Sequence, residues 1–285
     1  MDYTHPKCTI VAEACCNHAG DFDRAIEMIE VAKLCGADFV KFQKRCPEES
    51  VPEHWHNQPH PNPVHAYGDT YLEHRKALEF TIDQHAKLKE RCDNLNIGYS
   101  TSVWDMTSAE EVMDLNPPFI KIPSAMNTHY EMLEYIYMNY EGQVHISMGM
   151  TTDEEKTKIK YNINPFLTRT VIYHTTTEYP VPFERLHLKE VEWLQKLFPI
   201  VGYSGHNYGI AADVAAYTLG AQWIERHFTL DRTAKGTDNA ASLESDGLRR
   251  LCRDVKAVQK ALAYRDKEIT DNEMKQRDKM KFSKV

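Results

Sequence analysis

Two lysines sit inside short apolar runs of this chain, Lys41 in Val40-Lys41-Phe42-Gln43 and Lys121 in Ile120-Lys121-Ile122-Pro123. Hydroxyls close or follow similar runs: Ser100, Thr101 and Ser102, then Ser124, Ser147 and Ser204. Two later runs lead to histidines, His206 after Tyr203-Ser204-Gly205 and His227 after Ile224-Glu225-Arg226. Glu13 lies in the first run. A lysine among apolar neighbours is costly without an anion, so two of them ringed by hydroxyls ask for a phosphate or carboxylate ligand. Two histidines on adjacent elements suit one divalent metal. Ordinary readings stand beside these. The lysines can pair with neighbouring glutamates, the histidines can be hydrogen-bonded structural residues, as His174 reads, and the cysteines can fill the core.

The elements that must position these residues repeat one pattern. Apolar runs at Thr9–Cys16, Phe39–Gln43, Gly98–Val103, Phe119–Pro123, Gln143–Met148, Thr170–His174, Ile200–Ser204 and Trp223–Phe228 have the length of buried parallel strands. Helical spacing fills the gaps, at Asp21–Leu34, Thr81–Leu95, Ser108–Leu115, Tyr130–Tyr140, Glu184–Leu197, Gly209–Leu219 and Glu244–Ala263, with a weak polar candidate at Asp153–Tyr161. Eight strand–helix units imply a parallel sheet closed into a (β/α)8 barrel, whose functional residues lie at the strand C-terminal ends. No G-x-G-x-x-G follows the first strand, which disfavours an open dinucleotide-binding sheet. Arg45–Arg75 reads as a long Pro- and His-rich loop after the second strand, on the face where a lid would sit. The reading gives one barrel domain over 1–265 and a charged tail or linker over 266–285.

The 285 residues are close to the ~250 of a typical barrel. A net charge of −8 argues against a nucleic-acid partner. Seven scattered cysteines without a C-x-x-C pair fit a reduced compartment. With no apolar run of 18 or more residues, the expectation is a soluble, cytoplasmic protein without membrane contact.

Motifs in order along residues 9–262 resemble the sialic acid synthase family, which includes N-acetylneuraminate, legionaminate and pseudaminate synthases. They are Ala12-Glu13…Asn17-His18-Ala19-Gly20; Val40-Lys41-Phe42-Gln43; Lys121-Ile122-Pro123-Ser124; Ser147-Met148-Gly149-Met150; His174-Thr175-Thr176-Thr177-Glu178-Tyr179-Pro180; Gly202-Tyr203-Ser204-Gly205-His206; and Glu225-Arg226-His227-Phe228. The resemblance implies a metal-assisted condensation of phosphoenolpyruvate with an N-acetylmannosamine-like aldose, releasing phosphate. It implies that Lys41, Lys121, Thr101, Ser124, Ser147 and Ser204 cradle phosphoenolpyruvate and that His206 and His227 hold Mn2+ or Mg2+. Glu13 and Asp238 would contact the sugar or a water, Thr177 and Tyr179 would line the sugar end, and the assembly would be a homodimer. Three departures accompany it. The chain ends near where the family's antifreeze-like domain begins. Gly205 replaces an Asp. Gly236-Thr237-Asp238-Asn239 replaces Gly-Pro-Asp-His. A non-catalytic phosphosugar-binding scaffold and a Schiff-base aldolase using Lys41 or Lys121 are the competing readings.

Overall fold

The computed structural model describes residues 6–265 and 267–282. Eight parallel strands close into one barrel in sequence order, a (β/α)8 or TIM barrel. The strands are β1 (Thr9–Cys15), β2 (Phe39–Lys44), β3 (Gly98–Val103), β4 (Phe119–Ile122), β5 (Gln143–Ser147), β6 (Thr170–His174), β7 (Val201–Gly205) and β8 (Trp223–His227). Closure is the pairing of β1 with β8, from Thr9 opposite Trp223 to Glu13 opposite His227. The helices are α1 (Phe22–Cys35), α2 (Pro47–Ser50), α3 (Tyr71–Leu78), α4 (Ile82–Leu95), α5 (Met106–Asp114), α6 (Tyr130–Asn139), α7 (Asp153–Ile163), α8 (Glu190–Gln195), α9 (Ala211–Thr218), α10 (Ser245–Ala261) and α11 (Asp271–Met280). Among the described residues no helix is long and apolar enough to cross a membrane.

The period of two along each strand sorts the side chains. Val40, Phe42, Tyr99, Ile120, Ile122, Val144, Ile146 and Ile172 are buried in the layer between barrel and helices. Helix α1 meets that layer through Ala25, Met28, Ile29, Ala32 and Cys35, spaced as one face of a helix. The Asp21 carboxylate caps it by accepting from the Arg24 N–H, and Gly36 at φ +91° ends it. On the inner face Phe39, Phe119, His145 and Trp223 plug the barrel floor. Phe119 stacks on His145 at 3.8 Å and meets Trp223 edge-on at 5.5 Å. Each such ring contributes about 1.5–3 kcal/mol by leaving water, and the plug confines the polar site to the upper end.

Two expectations change. The segment after β2 is not an irregular loop. It holds α2, two short 3-10 turns and α3, and α3 starts with a capping box in which Thr70 and Glu73 satisfy each other's backbone N–H. The single helix expected over 184–197 is a 3-10 turn (Phe183–Arg185) followed by the shorter α8. His187, at φ +47°, cannot continue a right-handed helix. The segment before α8 instead anchors through Leu186, buried with Val181 and Ala212. In the tail, α11 has no buried residue; residues 266 and 283–285 lie outside the described residues.

Candidate active site

The upper mouth of the barrel opens on a cavity of about 260 Å³. Eleven of the twelve expected site residues line it: Glu13, Lys41, Lys121, Ser124, Ser147, Thr177, Tyr179, Ser204, His206, His227 and Asp238. Thr101 does not. Lys41 is paired in register with Ser100 and Gln43 with Ser102, so these share the inner face of the sheet. Thr101, beside Phe42, is turned toward the helices, and Ser102 takes its place in the mouth.

At the base of the cavity the two lysines are already partnered. Lys41 pairs with Glu13, receives no help from bulk water, and donates to Ser102 Oγ at 2.6 Å. Lys121 Nζ donates to Glu225 Oε2 at 3.0 Å and lies over the Tyr173 ring at 3.6 Å. Glu225 also reaches Lys41 at 3.8 Å and accepts from Ser204 Oγ at 3.1 Å. The ordinary reading of the lysines therefore holds as far as it goes. Two cations and two carboxylates form a buried, charge-balanced quartet.

The pKa shifts follow from this geometry. Burial would raise Glu225, but two lysines outweigh it and hold its carboxyl at about 2. Lys121 has one carboxylate and one like charge near it, so burial prevails and lowers it to about 8. Lys41 lies between two carboxylates; these overcome burial and push it up. Glu13 is raised, by burial first and by Glu225 after Lys41 has opposed it. A buried carboxyl held above its usual range is suited to exchange a proton with a substrate or water.

Above the quartet lie the candidate metal ligands. His206 Nδ1 donates to the Thr176 carbonyl at 2.8 Å, which fixes the tautomer and leaves the lone pair on Nε2. Burial, then the neighbouring His227, lower its pKa to about 3, so the ring is neutral. The His227 ring centre is 5.3 Å from that of His206, and its buried Nδ1 has no hydrogen-bond partner among the described residues. Cys15 Sγ, His227 and Asp238 offer ligand atoms within 4.8 Å of one another. Cys15 donates its thiol proton to Asp238 Oδ2 at 2.9 Å. The neighbouring Cys16, burial and that carboxylate push the Cys15 thiol well up. Burial would raise Asp238, but His227 and the Cys15 and Thr237 hydrogen bonds keep it low. An imidazole nitrogen without a partner beside an ionised carboxylate fits an oxygen- and nitrogen-preferring divalent ion. A protonated thiol is a poor ligand for such an ion, and among the described residues His206, the other expected ligand, is not one of those whose ligand atoms converge within 4.8 Å. Tyr179 packs its ring 4.1 Å from His206 at the rim.

Several residues of the site were given no role by the sequence reading, Glu225 among them though it stands at a strand end. Glu225 was legible, because it lies two residues before His227 on the same face of β8. Cys15 lies two residues after Glu13 on β1 and shares its inward face, so the same period-two rule reaches it; β1 shifts register against β2 there, with Cys15 at φ +49°. Arg45 and Arg75 line the cavity from the segment after β2, which carries no local signal for that placement. In the motif Asn17-His18-Ala19-Gly20, Asn17 lines the cavity and the motif also braces the loop after β1. Asn17 donates to Phe228 O and Ser242 Oγ, and His18 stacks on Phe80. Gly20, at φ +77°, lies where any Cβ would run into the Ala77 carbonyl. Gly205 has a local reason as well. A Cβ there would sit 2.8 Å from the Tyr203 ring and 3.1 Å from Asp213, so no larger side chain fits.

The chain matches the profile described as the NeuB family over residues 28–267. It is 38% identical over 283 residues to human N-acetylneuraminate-9-phosphate synthase, covering 99% of this chain and 78% of the relative. It is 33% identical over 273 residues to N,N'-diacetyllegionaminic acid synthase of Campylobacter jejuni, covering 94% and 81%. In three dimensions it is similar to the N-acetylneuraminic acid (sialic acid) synthetase of Leptospira borgpetersenii solved with citrate. The TM-score is 0.81 at 25% identity, over 96% of this chain and 92% of that one.

Proposed function

This chain belongs to the NeuB family, and on that premise we propose that it condenses phosphoenolpyruvate with an N-acetylmannosamine-type aldose to give a sialic-type acid and phosphate. The observation that carries the reading is the adjacency of two sets: the quartet of Glu13, Lys41, Lys121 and Glu225, and directly above it His206, His227 and Asp238. One offers cations to an anionic enol, the other offers ligands to an ion beside the acceptor.

In this reading C3 of phosphoenolpyruvate bonds to the aldehyde carbon, whose oxygen takes a proton. Water adds to the electron-poor C2 and gives up a proton. The C2–O bond to phosphorus then breaks, its electron pair leaving with phosphate, and C2 becomes a ketone. Lys41 and Lys121, with Ser102, Ser124, Ser147 and Ser204, hold the phosphate and carboxylate as charge shifts between them. Glu13, raised by burial, orients the water and takes its proton. Thr177, whose Oγ1 is buried without a partner among the described residues, and Tyr179 line the acceptor end. When bound, a manganese- or magnesium-class ion held by His206, His227 and Asp238 would polarise the acceptor carbonyl. The barrel, 1–265, is the catalytic unit in this proposal; a homodimer is what the family resemblance implies, and a cytoplasmic setting is what the scattered cysteines suggest.

The test is phosphate release from phosphoenolpyruvate with Mn2+ or Mg2+ across a panel of N-acyl hexosamines, with the sugar acid identified by mass. Sugar-dependent release that stops on chelation is expected. A folded, metal-loaded protein inert toward every sugar would instead favour a scaffold. Borohydride trapping of pyruvate on Lys121 would favour an aldolase.

The shifted Lys121 gives a pH signature. A lysine lowered to about 8 is charged below that pH and neutral above it. The kcat/KM for phosphoenolpyruvate is expected to fall as pH rises through about 8. Lys121→Arg should remove that alkaline limb, because guanidinium stays charged.

A further inference from the structure

We infer that Cys15 and Cys16 form a dithiol inside the barrel mouth that a peroxide oxidises to a disulfide between chain neighbours, and that this bond stops turnover. The loss of turnover rests on the synthase reading above; the oxidation itself does not.

The seven free cysteines differ in their surroundings. Cys8, Cys35, Cys92 and Cys252 are buried. Cys46 is half-buried, but its thiol faces the Glu48 carboxylate at 4.0 Å, which opposes a thiolate. Of the seven, Cys15 and Cys16 line the cavity. They meet the two ends of one amide. Cys15 Sγ accepts from Gln43 Nε2 at 2.9 Å, and the half-buried Cys16 thiol donates to Gln43 Oε1 at 4.0 Å. The two sulfurs therefore lie side by side, and the thiols hydrogen bond to each other.

Cations without a full complement of anions border Cys16. Arg45, 7% exposed, donates from Nη2 to the same Gln43 Oε1 at 2.6 Å. Its buried Nε has no hydrogen-bond partner among the described residues, and the Glu79 oxygen is 3.7 Å from it. Arg75 donates to Tyr71 OH and has no carboxylate partner among the described residues. The hydrogen bond with Cys15 first, then Arg45 and Arg75, hold the Cys16 thiol below its usual range against burial. A partly exposed sulfur in an electropositive mouth is the reactive kind of cysteine.

The Cys16 sulfur attacks one oxygen of hydrogen peroxide. The O–O bond breaks, and the departing hydroxide takes the thiol proton and leaves as water. Cys16 is then a sulfenic acid. The Cys15 sulfur attacks the Cys16 sulfur, the S–OH bond breaks, and the hydroxyl leaves with the Cys15 proton as a second water. Two thiols lose two electrons, and one peroxide becomes two waters. Cα atoms across a trans peptide are only about 3.8 Å apart, closer than most disulfides allow, so the bond is strained and readily reduced by a thiol. Its formation draws the Cys15 sulfur from Asp238, to which the thiol donates at 2.9 Å, and from Gln43, which also donates to Glu13 at 3.3 Å. Both contacts lie beside the reacting groups.

The experiment exposes the reduced full chain, Cys16→Ser and Cys15→Ser to hydrogen peroxide, blocks the remaining thiols and weighs the peptide that carries residues 15 and 16. The wild-type peptide is expected to lose two hydrogens about tenfold faster than Cys46 is oxidised, the gain from a thiol that is largely ionised over one that is ionised to a few per cent. Dithiothreitol should restore both the mass and phosphate release. Cys15→Ser should stop at a sulfenic acid on Cys16 that dimedone traps, and Cys16→Ser should give neither product. Oxidation of wild-type Cys46 ahead of the pair, or a pair that does not react, overturns the inference without any variant. So does a Cys16→Ser chain that loses phosphate release to peroxide as fast as the wild type. If the reduced wild type turns over no sugar, the synthase reading is at fault, and the peptide mass alone decides whether the pair closes.

Discussion

His227→Ala is expected to reduce sugar-acid formation by ~10^3-fold or more while leaving the protein folded, because Lewis-acid assistance supplies several kcal/mol of transition-state stabilisation. Among the described residues the His227 Nδ1 is a buried nitrogen with no hydrogen-bond partner, beside the Asp238 carboxylate and 5.3 Å in ring centre from His206. Nothing in the protein uses that lone pair, so its removal costs little in folding. The measurement is paired: turnover with saturating Mn2+, and Mn2+ affinity by electron paramagnetic resonance. Both should drop together. Asp238→Asn should weaken the metal less, because one oxygen ligand remains. Wild-type Mn2+ affinity in His227→Ala would remove His227 from the ligand set whatever the turnover does.

The second large effect lies outside the cavity. Asp213→Ala is expected to cost about 3–5 kcal/mol of folding stability, since it strands a buried guanidinium. Arg226 and Asp213 are both fully buried and pair directly. The same guanidinium donates to Gly209 O at 2.8 Å and Asn207 O at 2.6 Å, bracing the turn that follows His206. The pair is not a net source of stability. Burial raises the Asp213 carboxyl to about 6 against the pull of Arg226. The folded state therefore binds more protons than the unfolded one between pH 4 and 6. Its charge costs stability increasingly as pH rises through that window. Breaking the pair is still worse than keeping it. Urea denaturation should show the loss in Asp213→Ala, and the double variant Asp213→Leu, Arg226→Met should recover much of it. Single and double variants of equal stability would show that the pair is not the brace.

The sequence by itself determined the barrel, most strand boundaries to within a residue and, at the strand ends, nine of the twelve proposed site residues that line the cavity; Asp238 and Tyr179 came from the resemblance to the family. It could do so because a parallel barrel encodes itself locally. Every strand is short and apolar, and its polar residues near the C-terminal end point to one mouth. The same local rule, applied at Thr101, would have placed Ser102 inward with Lys41 and Gln43. What tertiary structure decided was charge and company. That Lys41 and Lys121 meet Glu13 and Glu225 depends on closure of the sheet across strands far apart in sequence. That the Cys15 thiol meets the Asp238 carboxylate depends on a loop 223 residues further along the chain. That Arg45 and Arg75 reach the cavity depends on a crossover folding back as helix and turns. Burial sets the protonation of Glu13, Lys121 and His206, and burial is a property of the packed chain that no residue carries in the sequence.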